Sequence, residues 1–195
     1  MMRIVRHAGE GTATVTRRNR DATVASVTRS APLFLPSLPA SYQATIYPEA
    51  ERQIRRETRR MYLACNGDMH ETGGWLMAHP HSPDRIVHAT YPGDDALHSR
   101  SSMRLGLERL EAVTAQLPHL RVAGTWHVHP GTDEDGVPSS ADRRAWAKWR
   151  ELDGGFHIGL IVTQGRSAGW TDPELHGWLV TEEFCERLAL KQEGH

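Results

Sequence analysis

Gly124-Thr125-Trp126-His127-Val128-His129-Pro130, followed by Ser139-Ser140-Ala141-Asp142, is the stretch on which the reading of this chain turns. Residues 120–129 read as a strand, because Val122, Trp126 and Val128 supply apolar, β-favouring side chains. On a strand, positions i and i+2 project from one face, so His127 and His129 aim their rings together while Val128 turns to the core. Pro130 and Gly131 end the strand. Twelve residues separate His129 from Asp142, and Gly131, Gly136 and Pro138 mark them as a loop. Ser139 then opens a helix that Arg143, Ala145, Trp146 and Trp149 continue. The chain leaves a strand, loops round, and returns with a carboxylate on a helix's first turn. Two imidazoles and a carboxylate are ligands of the kind a catalytic zinc ion takes, with a fourth position open for water. Upstream, Glu71 in Glu71-Thr72-Gly73-Gly74-Trp75-Leu76-Met77 is a candidate general base.

Each fragment has a plainer reading. With 12 histidines in 195 residues, about 0.7 His-x-His triplets arise by chance. A second one stands at His79-Pro80-His81, among Pro80, Ser82 and Pro83, which read as a turn. No carboxylate in a strand-to-helix setting follows it. Ser139-x-x-Asp142 alone reads as a capping box, in which a serine and a short acid satisfy helix-start amides. Glu71 alone reads as a solvated loop carboxylate. The conjunction, in this order, is what carries weight.

That conjunction resembles the JAMM motif of the JAB1/MPN/Mov34 metallopeptidase family: a glutamate in an early strand region, then His-x-His-Pro, a loop, and Ser-x-x-Asp. The matching residues are Glu71, His127, His129, Pro130, Ser139 and Asp142. The surroundings look like the bacterial branch. Glu71-Thr72-Gly73-Gly74 precedes an apolar strand, Tyr91-Pro92-Gly93 sits before a helix, and Gly124-Thr125-Trp126 leads into the pair. The resemblance covers about residues 42–190. The loop before Asp142 is longer than in eukaryotic members and carries an acidic insert, Asp133-Glu134-Asp135, which bears on the rim and leaves the ligands intact.

The resemblance implies one zinc ion on His127, His129 and Asp142, which would lower the pKa of water toward about 7. It implies Glu71 as the base that takes the proton and delivers it to the leaving amine. It also implies that Ser139 hydrogen-bonds the developing oxyanion. The substrate it implies is a ubiquitin-like protein or its conjugates, cut at the peptide or isopeptide bond after the modifier's C-terminus. The expected setting is a bacterial conjugation pathway, including antiviral defence. The alternatives are processing of a sulfur-carrier protein and a non-catalytic MPN-type scaffold. The implied fold is mixed α/β, an MPN/cytidine-deaminase-like sheet flanked by helices in a single domain.

Composition bounds the rest. The hydrophobic content of 38% and net charge of −1 fit a soluble globular enzyme. No run of about 18 apolar residues exists, so no membrane span is expected. Cys65 and Cys185 are far apart and form no CxxC. Reduced thiols in a cytoplasmic protein are the default, with a single disulfide left open. Residues 1–41 hold six arginines against Glu10 and Asp21, and read as a basic, Pro-containing mobile arm ahead of a 42–195 domain. A partner-binding, nucleic-acid-touching or targeting role for the arm stays open, as does a short strand at 12–17. The near-neutral total argues against nucleic acid as a partner. Oligomeric state is open.

The domain's layout is readable. Residues 42–47 form a strand, then Pro48 starts a helix to about Cys65 with Ile54, Thr58, Met61 and Tyr62 inward, closed by Asn66-Gly67. Residues 74–78 and 85–90 are strands. Residues 101–117 read as a helix with Met103, Leu107, Leu110, Val113 and Leu117 on its core stripe. After the helix from Ser139, residues 156–163 and 176–181 are β-like, and 182–191 read as a final helix. The tryptophans read as packing residues, with Trp75 and Trp126 placed to wall the site. His157, His88 and His119 read first as surface or core residues, with a supporting place beside the ligands as the less favoured reading.

Overall fold

The computed structural model describes residues 3–6, 13–16, 43–93, 96–131, 136–153, 155–166, 168–182 and 185–193. The chain divides into two units, Met1–Leu33 and Phe34–His195. In the first, β1 (Arg3–Arg6) pairs antiparallel with β2 (Ala13–Thr16), Ile4 opposite Val15. The strand expected at 12–17 is thus β2. Apart from β1 and β2, the expected arm lies outside the described residues.

The second unit is mixed α/β, with three α-helices on a sheet-rich core among the described residues. Its elements run β3 (Gln43–Ile46), α1 (Pro48–Ala64), β4 (Gly73–His79), β5 (Ser82–Ala89), β6 (Leu97–His98), β7 (Met103–Arg104), α2 (Glu108–Gln116), β8 (Arg121–Val128), α3 (Ser140–Asp153), β9 (His157–Thr163), β10 (Glu174–Val180) and β11 (Cys185–Gln192). Seven strands close into a ring in the order β10-β11-β3-β5-β4-β8-β9. The expected layer flanked by helices is therefore a sheet curled on itself. Closure follows from β10, which pairs with both β9 and β11.

Helix α1 starts where Pro48 fits the first turn and stops where Asn66 and Gly67 adopt positive φ (52° and 86°). Ala50, Ile54 and Met61 join one apolar core with the inward residues Ile46, Leu76, Ile86, Trp126, Leu160, Leu179 and Leu188. A second apolar cluster lies under α2, where Trp75, Met77 and Leu120 meet Leu107, Leu110 and Leu117.

One irregularity sets up the site. Across β4 and β8 the register runs Leu76 opposite Gly124 but Met77 opposite Val122, so Ala123 is an extra residue, a β-bulge. A one-residue insertion swaps the faces of everything beyond it. Leu120 and Val122 join the cluster under α2, whereas past the bulge Trp126 and Val128 point into the ring's core. Thr125 and His127, at odd positions, are left facing outward with α3.

Two expected helices are corrected. The one at 101–117 is shortened to Glu108–Gln116, and Tyr91-Pro92-Gly93 does not run into it. Met103 and Arg104 instead pair with His98 and Leu97. Ser99 Oγ takes the N–H groups of Ser101 and Ser102 (3.3 and 3.0 Å), a local bond that competes with helix. The expected final helix at 182–191 is strand β11, antiparallel to β10 and parallel to β3. Its Glu, Arg, Leu, Ala and Lys residues favour helix, but pairing on both sides closes the ring and outweighs a propensity of a few tenths of a kcal/mol per residue. Cys65 and Cys185 are both free thiols.

Candidate metal centre

His127 ends the outward face of β8, and His129 follows just past the strand, where its N–H donates to Val162 O of β9 (2.9 Å). Val128 is fully buried between them, as expected. Asp142 comes from the first turn of α3. His127 Nε2 and His129 Nε2 stand 3.0 Å apart, with Asp142 Oδ1 3.2 Å from the first and Oδ2 3.3 Å from the second. In a tetrahedral site with bonds of about 2.0–2.1 Å, ligand atoms lie roughly 3.3–3.4 Å apart. Asp142 turns one oxygen to each imidazole, and one ligand atom from each of the three residues lies within 4.8 Å of the others, close enough to share one ion, with a donor set of the kind zinc takes. Among the described residues no other three His, Cys, Asp or Glu side chains converge this way.

Burial alone would push the Asp142 carboxyl up, but hydrogen bonds from His127, His129 and Ser139 hold it well below the ordinary carboxylate range. It stays an anion, as a ligand must. The capping-box reading also holds. The Ser139 N–H donates to Asp142 Oδ2 (2.7 Å), and the Asp142 N–H donates to Ser139 Oγ (3.2 Å). One carboxylate caps the helix and faces both imidazoles. Ser139 is exposed, and as an acceptor in this pair its hydroxyl keeps its own proton to donate.

Glu71 arrives by strand register. Gly73 pairs with His127, and Val128 N donates to Thr72 O (2.8 Å), which puts Glu71 across from His129 on the same face. Its N–H donates to Ser99 O (2.9 Å), and His98 Nδ1 lies 2.9 Å from its carbonyl, so the β6–β7 hairpin holds its backbone. Burial pushes the carboxyl up to about 7, with His129 opposing and Asp142 reinforcing. Gly73 has to be glycine: a Cβ there would lie 2.1 Å from Trp126 O and 2.6 Å from the Met103 methyl. Next door, Thr72 donates to Glu57, a buried carboxylate gripped by Arg60 through two bonds of 2.7 Å.

Helix α3 is seated by Trp146, one turn after Asp142. Its indole lies where a Cβ on Gly159 would come within 2.4 Å. Its Nε1–H donates to Thr125 Oγ1 (3.1 Å), which in turn bonds His157 Nε2 (3.0 Å). Its ring stands 5.8 Å from that of His127. Trp146, and not Trp75 or Trp126, walls the site. Trp126 points into the core and donates to Thr90 O, while Trp75 packs under α2 and donates to Gly106 O. Of the three histidines read first as surface or core residues, His157 is buried in this network, a core place that also supports the site. His88 instead meets Gln53, and His119 stacks on His79. The spacing of Trp146 four residues after Asp142, on a helix that must pack, was the available signal for its role. The acidic insert at 133–135 lies outside the described residues.

A family model for prokaryotic homologs of the JAB domain matches residues 39–181. The chain belongs to that family. Among solved structures, it is similar to protein DSY2949 of Desulfitobacterium hafniense at 15% identity, over 78% of this chain and 94% of that one, with a TM-score of 0.53. That likeness is one of fold. No curated protein matches the chain. No helix among the described residues is long and apolar enough to cross a membrane.

Proposed function

We propose that this protein is a JAMM-type zinc metallopeptidase of MPN-type fold. It cuts the peptide or isopeptide bond after the C-terminus of a ubiquitin-like protein, in the cytoplasm of a bacterium with a conjugation pathway. The observation that carries this reading is the convergence of His127, His129 and Asp142 opposite a carboxyl, Glu71, poised at about 7.

A zinc ion, when bound, supplies Lewis acidity that polarises the scissile carbonyl and acidifies water. Glu71, across from His129, accepts the proton of the attacking water and passes it to the leaving amine. Ser139 donates its hydroxyl proton to the oxygen that gains charge. Trp146 excludes water behind His127 and holds Asp142 in reach. An extended substrate tail adds to a sheet edge by main-chain hydrogen bonds. Among the described residues the seven strands close into a ring, and the short β6–β7 hairpin beside Glu71 is the edge that serves.

The test is zinc-loaded protein incubated with two fusions of a ubiquitin-like protein ending in glycines, one extended linearly and one joined to a lysine. Cleavage after the modifier's terminus is expected, with Glu71→Gln lowering the rate by about 10²–10⁴-fold while zinc stays bound. Zinc-bound protein that cuts neither fusion, or a Glu71→Gln variant at the wild-type rate, would overturn the assignment. Preference for a sulfur-carrier fusion would redirect the substrate and keep the chemistry.

A further inference from the structure

The ligand set has a second anchor that none of the motif residues supplies. Gly136 lies three residues before Ser139, is buried, and has φ +54°. Its carbonyl accepts the Trp178 indole N–H at 2.9 Å. A Cβ on Gly136 would fall 2.3 Å from the His176 ring, so the loop's backbone lies directly on that imidazole. His176 and Trp178 alternate on β10 and so share its outer face.

Strand β11 braces both. Arg187 sits directly across from Trp178 in the antiparallel register, its guanidinium carbon 5.3 Å from the ring centroid. The same guanidinium donates to His176 Nδ1 at 2.5 Å. Since arginine has no acceptor, Nδ1 must carry the lone pair, and the neutral ring's proton sits on Nε2, which meets Thr163 Oγ1 at 2.8 Å. Four side chains from three strands thus hold Gly136, and α3 holds the other end of the 136–139 segment.

We propose that Trp178, His176 and Arg187 are positioning residues that set the loop delivering Ser139 and Asp142, so that strand β11 tunes the metal centre without contributing a ligand. This rests on the reading of His127, His129 and Asp142 as ligands. Supporting groups around metal ligands typically carry about 10–100-fold in affinity, and this cluster acts one step further out. Trp178→Phe keeps an aromatic ring on that face of β10 and deletes the donor to Gly136 together with part of the indole's area.

The experiment measures zinc affinity by chelator competition, and the visible spectrum of the cobalt-substituted protein, for wild type, Trp178→Phe and Arg187→Gln. Trp149→Phe, an indole loss on the α2-facing side of α3, is the control. Trp178→Phe is expected to weaken zinc by about tenfold and alter the cobalt bands, Arg187→Gln to do so by about threefold, and Trp149→Phe to change neither. Far-ultraviolet spectra of the metal-free proteins show which variants are folded, and either tested variant suffices. A folded variant with wild-type affinity and spectrum overturns the proposal alone. Wild-type protein that takes up no zinc, or a His129→Ala variant that binds it equally, overturns the ligand assignment and the proposal with it.

Discussion

The chain contains the pattern His-x-His twice, at His127-Val128-His129 and His79-Pro80-His81, and among the described residues only the first gathers a third metal-type ligand. The first runs off the end of a strand held on both sides, so its two Nε2 atoms converge to 3.0 Å and a helix returns Asp142 to them. The second straddles the turn between β4 and β5. His79 ends one strand, and Pro80 and His81 form the turn itself. His79 meets another histidine, His119, but as stacked rings with centroids 5.4 Å apart, not as facing nitrogens. Spacing alone is mute. The backbone conformation beneath it decides whether i and i+2 mean the same direction.

The largest effect that could break this comparison is on metal content. Alanine at His129 or Asp142 is expected to abolish stoichiometric zinc, because two remaining ligands do not close a tetrahedral site. Alanine at His79 or His81 should leave one zinc per chain. Metal analysis after dialysis against limiting zinc checks both, and equal losses from the two pairs would erase the distinction drawn here.

A smaller effect probes the packing that gives the first pair its partner. Gly159→Ala would thrust a methyl into the Trp146 ring, and overpacking of this kind costs about 1–3 kcal/mol. Since Asp142 is one turn away on the same helix, zinc affinity is expected to fall by about tenfold along with the melting temperature. Calorimetry and chelator competition on the same samples test it. A loss of stability with unchanged affinity would mean that Asp142 is held by its capping bonds to Ser139 alone.

The contrast between the two pairs also explains what was legible in the sequence. The β8 strand, the loop and the helix start were readable because proline, glycine and a capping serine punctuate them locally. The ligands and Glu71 were readable as a pattern in order. What the sequence does not carry locally depends on contacts between distant segments. The bulge at Ala123, which turns His127 outward, has no local signature. Trp146 and Trp178 read as generic packing because their targets, Gly159 and Gly136, matter only once the strands are side by side. The 185–192 segment looks helical by composition, and becomes a strand because two neighbours offer it hydrogen bonds. Met103 falls on α2's stripe by spacing, yet Ser99 and the Met103 contact over Gly73 hold residues 101–104 in a hairpin next to Glu71, while Leu107 does pack under α2.

The smallest effect concerns what the site costs the fold. Glu71 has its carboxyl pushed up from 4.5 to about 7 in the folded protein, first by burial. The folded state therefore holds that proton more tightly than the unfolded chain does. In metal-free protein its contribution favours folding at low pH and is lost as pH rises from about 4.5 to about 7. Glu71→Gln removes the titration. The variant should gain stability relative to wild type at pH 8 and gain none at pH 4. Because the group is only half-buried, solvent screening keeps the gain small, a shift of about 1–3 °C in metal-free melts. A variant destabilised equally at both pH values would show that Glu71 is a structural carboxylate, and that its placement opposite His129 was not bought at the expense of stability.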